Sequence, residues 1–107
     1  IYSVDLRRPG QITRLSDPAF AHAADMDKGG QTLLVTRSND RQPPQSFIAD
    51  AAGQRLAWIE ENALDADHPY APFLTGHRSA RYGTIAAEDG TLLHYEIITP
   101  DMQPGKR

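Results

Sequence analysis

The sequence predicts a mainly β fold of antiparallel hairpins, on three observations. Short stretches alternate apolar and polar residues, turn residues recur about every ten positions, and no segment sustains a helical period. The first stretch, IYSVDL, puts Tyr2, Val4 and Leu6 on one face and Ser3 and Asp5 on the other, the period of a half-buried strand. Arg7-Arg8-Pro9-Gly10 then turns the chain into QITRLS, completing a hairpin. Asp27-Lys28-Gly29-Gly30 separates FAHAADM from the apolar QTLLVTRS and predicts a second.

Residues 39–45, NDRQPPQ, carry adjacent Pro43 and Pro44, which remove two backbone donors and force an extended loop. SFIAD and QRLAWIEE flank Ala51-Ala52-Gly53, so a third hairpin is expected to bury Phe47, Leu56 and Trp58 together with Ile48 and Ile59. Trp58, the one tryptophan, is the expected anchor of that core. Asn62 is placed to N-cap a short helical turn over residues 63–66, ended by His68-Pro69. Residues 67–81 then read as a linker, with two prolines, a glycine and no period. Beyond it, YGTIAAEDGTLLHYEIITP has Asp89-Gly90 between two β-rich runs and predicts a final hairpin. Its second strand sets Tyr95, Ile97 and Thr99 on one face and His94, Glu96 and Ile98 on the other. This cadence of strand, turn and strand is that of one or two β-propeller blades.

At 107 residues the chain has room for one small core. A formal net charge of −3 leaves no excess of cations for a phosphate backbone, so nucleic acid is not an expected partner. No apolar run reaches the roughly 18 residues that a membrane-spanning helix requires, and no membrane partner is expected. The absence of cysteine excludes a disulfide framework, a thiolate nucleophile and sulfur-ligated zinc. The start at Ile1 and the end at Gly105-Lys106-Arg107 suggest a piece of a longer protein.

Catalytic signatures are missing. Ser3, Ser16, Ser38, Ser46 and Ser79 all lie outside a Gly-x-Ser-x-Gly nucleophile elbow. His22, His68, His77 and His94 have neither the i, i+4 nor the H-x-H spacing of metal ligands, and are read as surface or hydrogen-bonded side chains. Glu60-Glu61 is a pair of adjacent carboxylates, but neighbours on a strand point to opposite faces, so a solvated pair is expected. Asp25 and Asp27 are assigned to turn formation ahead of the glycines. Arg7, Arg8 and Arg14 form a small basic spot, and residues 60–67 an acidic one. Gly29-Gly30 lacks a following amphipathic helix and is no phosphate cradle. No catalytic, cofactor-binding or metal-binding residue is assigned, and no cofactor is expected.

Three segments in order carry a resemblance: IYSVDL with ITRLSD, then the stretch from ADMDKGG through WIEENALDAD, then GTIAAEDGTLLHYEIITPDMQPGKR. Together they resemble the dipeptidyl peptidase IV branch of the prolyl oligopeptidase family of serine peptidases, over nearly the whole chain. The resemblance implies that residues 1–66 end a β-propeller, that residues 67–81 link it onward, and that residues 82–107 form the lead-in hairpin of an α/β-hydrolase domain. It implies a parent that cleaves dipeptides from peptide N-termini after proline or alanine, with a Ser, Asp, His triad beyond Arg107. Glu60-Glu61 does not match the family's amine-binding glutamates, which belong to an earlier helical insertion. The partners so implied are the rest of the propeller and the hydrolase domain, with peptide substrate bound only by the parent, in or beyond the periplasm in many relatives. Alone, the chain is expected to be inactive and to self-associate through uncovered strand edges. The rival expectation is a free-standing β-rich interaction module without enzymatic activity.

Overall fold

A computed structural model describes residues 1–100 of the chain. In order come β1 (Tyr2–Val4), β2 (Ile12–Arg14), β3 (Ala21–Met26), β4 (Thr32–Ser38), β5 (Gln45–Asp50) and β6 (Arg55–Glu60). A 3-10 helix (Ala71–Gly76), β7 (Arg81–Ala86) and β8 (Leu92–Ile97) follow. The protein is mainly β, with antiparallel hairpin sheets and almost no helix. It divides into two compact units, Ile1–His68 and the part from Pro69 onward.

In the first unit β1 pairs with β2, and β3, β4, β5 and β6 form one four-stranded antiparallel sheet in chain order. The second and third expected hairpins are thus joined, because β4 pairs with β5 across the diproline loop, Arg37 opposite Gln45 and Val35 opposite Phe47. Asn39 shapes that loop: its Oδ1 accepts the backbone N–H groups of Arg41 and Gln42, and its Nδ2 donates to the Ala19 carbonyl. A side-chain amide of this kind satisfies backbone groups of the loop that no strand pairs.

Period-two alternation decides the core. Leu33 and Val35 of β4 and Phe47 and Ala49 of β5 share one face and are buried, with Ile1 and Trp58 packed against them. Burial of such side chains contributes roughly 1.5 to 3 kcal/mol each for the larger ones. Phe47 and Trp58 are cross-strand partners and meet edge to face, ring centroids 5.4 Å apart. Leu56 and Ile59 correct the sequence reading, for both are about 60% exposed (62% and 60%). Register shifts between Ser46 and Phe47 and between Ile48 and Ala49 leave these two residues of β6 without a partner opposite. Ile48, opposite Leu34, stands on the other face and is half-buried.

The hairpin expected at Asp89-Gly90 forms, and its turn shares a construction with two others. Gly30, Gly53 and Gly90 all have positive φ, and their N–H groups donate to the carbonyls of Asp27, Asp50 and Ala87, three residues back. This is a four-residue turn closed by a left-handed glycine, so Asp89 keeps negative φ. Asp27, Asp50 and Asp89 carboxylates accept backbone N–H groups within their own turns. The turn role assigned to Asp27 is what the structure has; Asp25 instead sits inside β3, opposite Leu34.

The helical turn expected over residues 63–66 is absent. Asn62 has φ +45°, whereas an N-cap needs extended backbone, and its side chain is engaged elsewhere. Helix appears instead at Ala71–Gly76, where Tyr70 packs on Phe73 and its hydroxyl meets His77 Nδ1 at 2.9 Å. In the second unit β7 and β8 pair from Arg81 opposite Ile97 to Ala86 opposite Leu92. Both strands are exposed almost throughout. The final stretch of the lead-in segment, residues 101–107, lies outside the described residues.

Candidate functional site

The open ends of β1 and β2 meet the buried face of the four-stranded sheet. Leu15 N–H donates to the Ile1 carbonyl at 3.0 Å, Ile1 packs on the core, and Leu15 abuts Gly53 of the β5–β6 turn. Between hairpin and sheet lies a cleft of about 250 Å³ with Leu33, Val35 and Phe47 on its apolar side. Arg37 and Arg55 line it from β4 and β6.

Both guanidiniums are held on aromatic faces. Arg37 lies 4.2 Å from the Phe20 ring centroid and 5.5 Å from that of Trp58, and Arg55 lies 4.2 Å from Trp58. Such stacking contributes about 0.5 to 2 kcal/mol per pair and fixes the plane of the guanidinium. Arg37 Nε also donates to Gln45 Oε1 at 2.9 Å. Gln45 is a buried polar side chain, and its Nε2 donates to the Glu61 carbonyl, so the amide is satisfied at both ends. Arg8 pairs with Asp5, and among the described residues neither Arg37 nor Arg55 is ion-paired with a carboxylate.

Ser16, Asp17 and His22 line the same cleft, yet they are not assembled as a triad. Ser16 Oγ is bonded to the Ile1 ammonium at 2.7 Å, and Asp17 accepts the Ala19 N–H at 2.9 Å. His22 Nδ1 faces the Phe20 carbonyl at 3.0 Å, which places its proton there. Burial holds the His22 pKa below the ordinary 6.5, opposed by that hydrogen bond and assisted by the positive charges of the N-terminus and Arg37. A base needs its partner within hydrogen-bond reach, and neither His22 nor Asp17 is hydrogen-bonded to Ser16.

The histidines read as non-ligands are dispersed: His68 binds Asn62, His77 binds Tyr70, and His94 sits in β8 opposite Thr84. Among the described residues no group of three or more His, Cys, Asp or Glu could hold a metal ion. Of the adjacent pair Glu60 and Glu61, Glu60 Oε1 accepts the Asn62 N–H, and Glu61 contributes its backbone carbonyl to Gln45. Of the basic spot, Arg8 pairs with Asp5, and Arg14 lies over Tyr2.

A second cluster ties the end of β6 to the diproline loop. Gln42 Nε2 donates to the Asn62 carbonyl at 2.8 Å, and Asn62 Nδ2 donates to the Pro44 carbonyl at 3.0 Å. Asn62 Oδ1 then accepts from His68 Nε2 at 3.0 Å. Sequence reasoning missed Gln42, Gln45, Arg37 and Arg55, because their roles depend on β4 pairing with β5 across a loop. The one available signal was polar residues on the apolar strand faces, Arg37 two residues after Val35 and Gln45 two before Phe47.

The arrangement can recognise an anionic group beside apolar surface, and it contains no assembled nucleophile. No family model matches the chain.

Proposed function

We propose that this chain is the closing part of a β-propeller, with the lead-in hairpin of a hydrolase domain, in a dipeptidyl peptidase IV-like serine peptidase. Its own role is architectural: it ends the propeller and fixes where the chain leaves for the catalytic domain. The observation that carries the reading is the ordered set of three segments, from IYSVDL to LLHYEIITPDMQPGKR. The four-stranded meander of β3 to β6 supports it, since a propeller repeats a unit of that kind. Further support comes from the cluster of Gln42, Pro44, Asn62 and His68, which anchors the departing chain where a domain junction would need a defined exit. The triad would be supplied by the hydrolase domain beyond Arg107.

The test is an assay of the full polypeptide encoded by the reading frame, using Gly-Pro and Ala-Pro chromogenic amides. Hydrolysis abolished by a fluorophosphonate, with none from residues 1–107 alone, is the expected result. An inactive full polypeptide that leaves the fluorophosphonate unreacted would remove the peptidase reading and favour an interaction module.

A further inference from the structure

We propose that the cleft between the β1–β2 hairpin and the four-stranded sheet receives an extended strand of the parent polypeptide from outside residues 1–107, and that a carboxylate on this strand pairs with Arg37 and Arg55. The inference rests on the reading of the chain as part of a larger propeller. It adds a specific ionic contact that the segment order does not contain.

Charge complementarity identifies the occupant. Two guanidiniums line one cleft of about 250 Å³, and neither has a carboxylate partner among the described residues. Both are positioned in advance, Arg37 by Phe20, Trp58 and Gln45 and Arg55 by Trp58. Covering these cations with apolar chain alone would desolvate them without compensation, a cost that a carboxylate offsets through charge-assisted hydrogen bonds. Two other titratable side chains line the cleft: His22 is never anionic, and the Asp17 carboxylate accepts the Ala19 N–H and is not ion-paired with either guanidinium. The apolar side formed by Leu33, Val35 and Phe47 calls for hydrophobic residues on the occupant next to its acid. An extended segment suits the site because β1 and β2 make only a two-stranded sheet, whose edges have unpaired backbone groups.

Arginine labelling with phenylglyoxal, read by peptide mass spectrometry, tests this on the full polypeptide and on the 107-residue chain. Arg37 and Arg55 should be modified at least tenfold more slowly in the full polypeptide than in the short chain, while exposed Arg7 reacts alike in both. In the short chain, acetyl-Val-Asp-Val-amide should protect both arginines and change Trp58 fluorescence saturably. Acetyl-Val-Asn-Val-amide should do neither, and Arg55→Gln should abolish the fluorescence response. Equal labelling in both polypeptides would overturn the strand, and equal effects of the two peptides would overturn the carboxylate. Because labelling does not depend on catalysis, protection in a polypeptide without peptidase activity would keep this inference while the peptidase reading fell.

Discussion

The Asn62 carbonyl accepts a hydrogen bond from the Gln42 side chain at 2.8 Å, and the Asn62 side chain returns one to the Pro44 carbonyl at 3.0 Å. The last strand of the sheet is thereby tied to the loop joining β4 and β5, twenty residues earlier in sequence for the first of these bonds. Asn62 holds φ +45°, a left-handed conformation that asparagine tolerates better than most residues. Asn62→Ala should destabilise the first unit by about 2 kcal/mol, about 1 from backbone strain and about 1 from lost hydrogen bonds. Asn62→Gly restores the backbone freedom and should cost about half as much. Urea unfolding followed by Trp58 fluorescence measures both, and equal costs would show that strain plays no part.

Gly53 joins the β5–β6 turn to the hairpin that covers the core. Its φ is +82°, and a Cβ there would stand 2.8 Å from the Leu15 carbonyl oxygen. Gly10 also has positive φ, +98°, but has nothing within 4 Å of the same position. Gly10→Ala should therefore cost about 1 kcal/mol, and Gly53→Ala about 2 to 3, because backbone must also move. Matching unfolding midpoints for the two variants would contradict the contact between Leu15 and the turn.

His22 and Asp27 both contribute to the acid side of the stability profile, as does Asp89, whose carboxyl the Thr91 N–H holds below 3.8. Burial lowers the His22 pKa from 6.5, so the unfolded chain takes up that proton first, and stability should decline as pH falls below about 6.5. The Thr32 N–H, with those of Gln31 and Gly29, holds the Asp27 carboxyl below 3.8. Its contribution is complete above that value and is lost as pH falls through the lowered pKa. Urea midpoints across pH should show both declines. His22→Gln should flatten the first and Asp27→Asn part of the second, and an unchanged profile in either variant would refute its assignment.

Exposed apolar residues crowd the second unit, among them Tyr82, Ile85, Leu92 and Leu93 on a lone two-stranded hairpin. A hairpin of this kind is marginal in water. The 107-residue chain should therefore form dimers or larger species that dissociate on dilution, as measured by light scattering. A single monomeric mass over a wide concentration range would count against this.

Much of the β organisation was legible because it depends on local chemistry. Period-two stretches such as TLLVTRS and turns such as Asp27-Lys28-Gly29-Gly30 determine strand and hairpin within a few residues. The misreadings arose where distant pairing intervenes. Leu56 and Ile59 look like core residues until the register shifts against β5 leave them without partners. Asn62 looks like a cap until Pro44 and His68 claim its side chain. The cleft arginines were illegible for the same reason, since only the pairing of Arg37 with Gln45 and the stacking on Trp58 reveal that they are fixed.

The most direct test of the central claim is the coding sequence for about 250 codons beyond Arg107, enough for a full-sized further domain. In the proposed reading a strand of the hydrolase domain follows at once, then Gly-x-Ser-x-Gly, then Asp and His in that chain order. A stop codon or an unrelated domain in that position would contradict it.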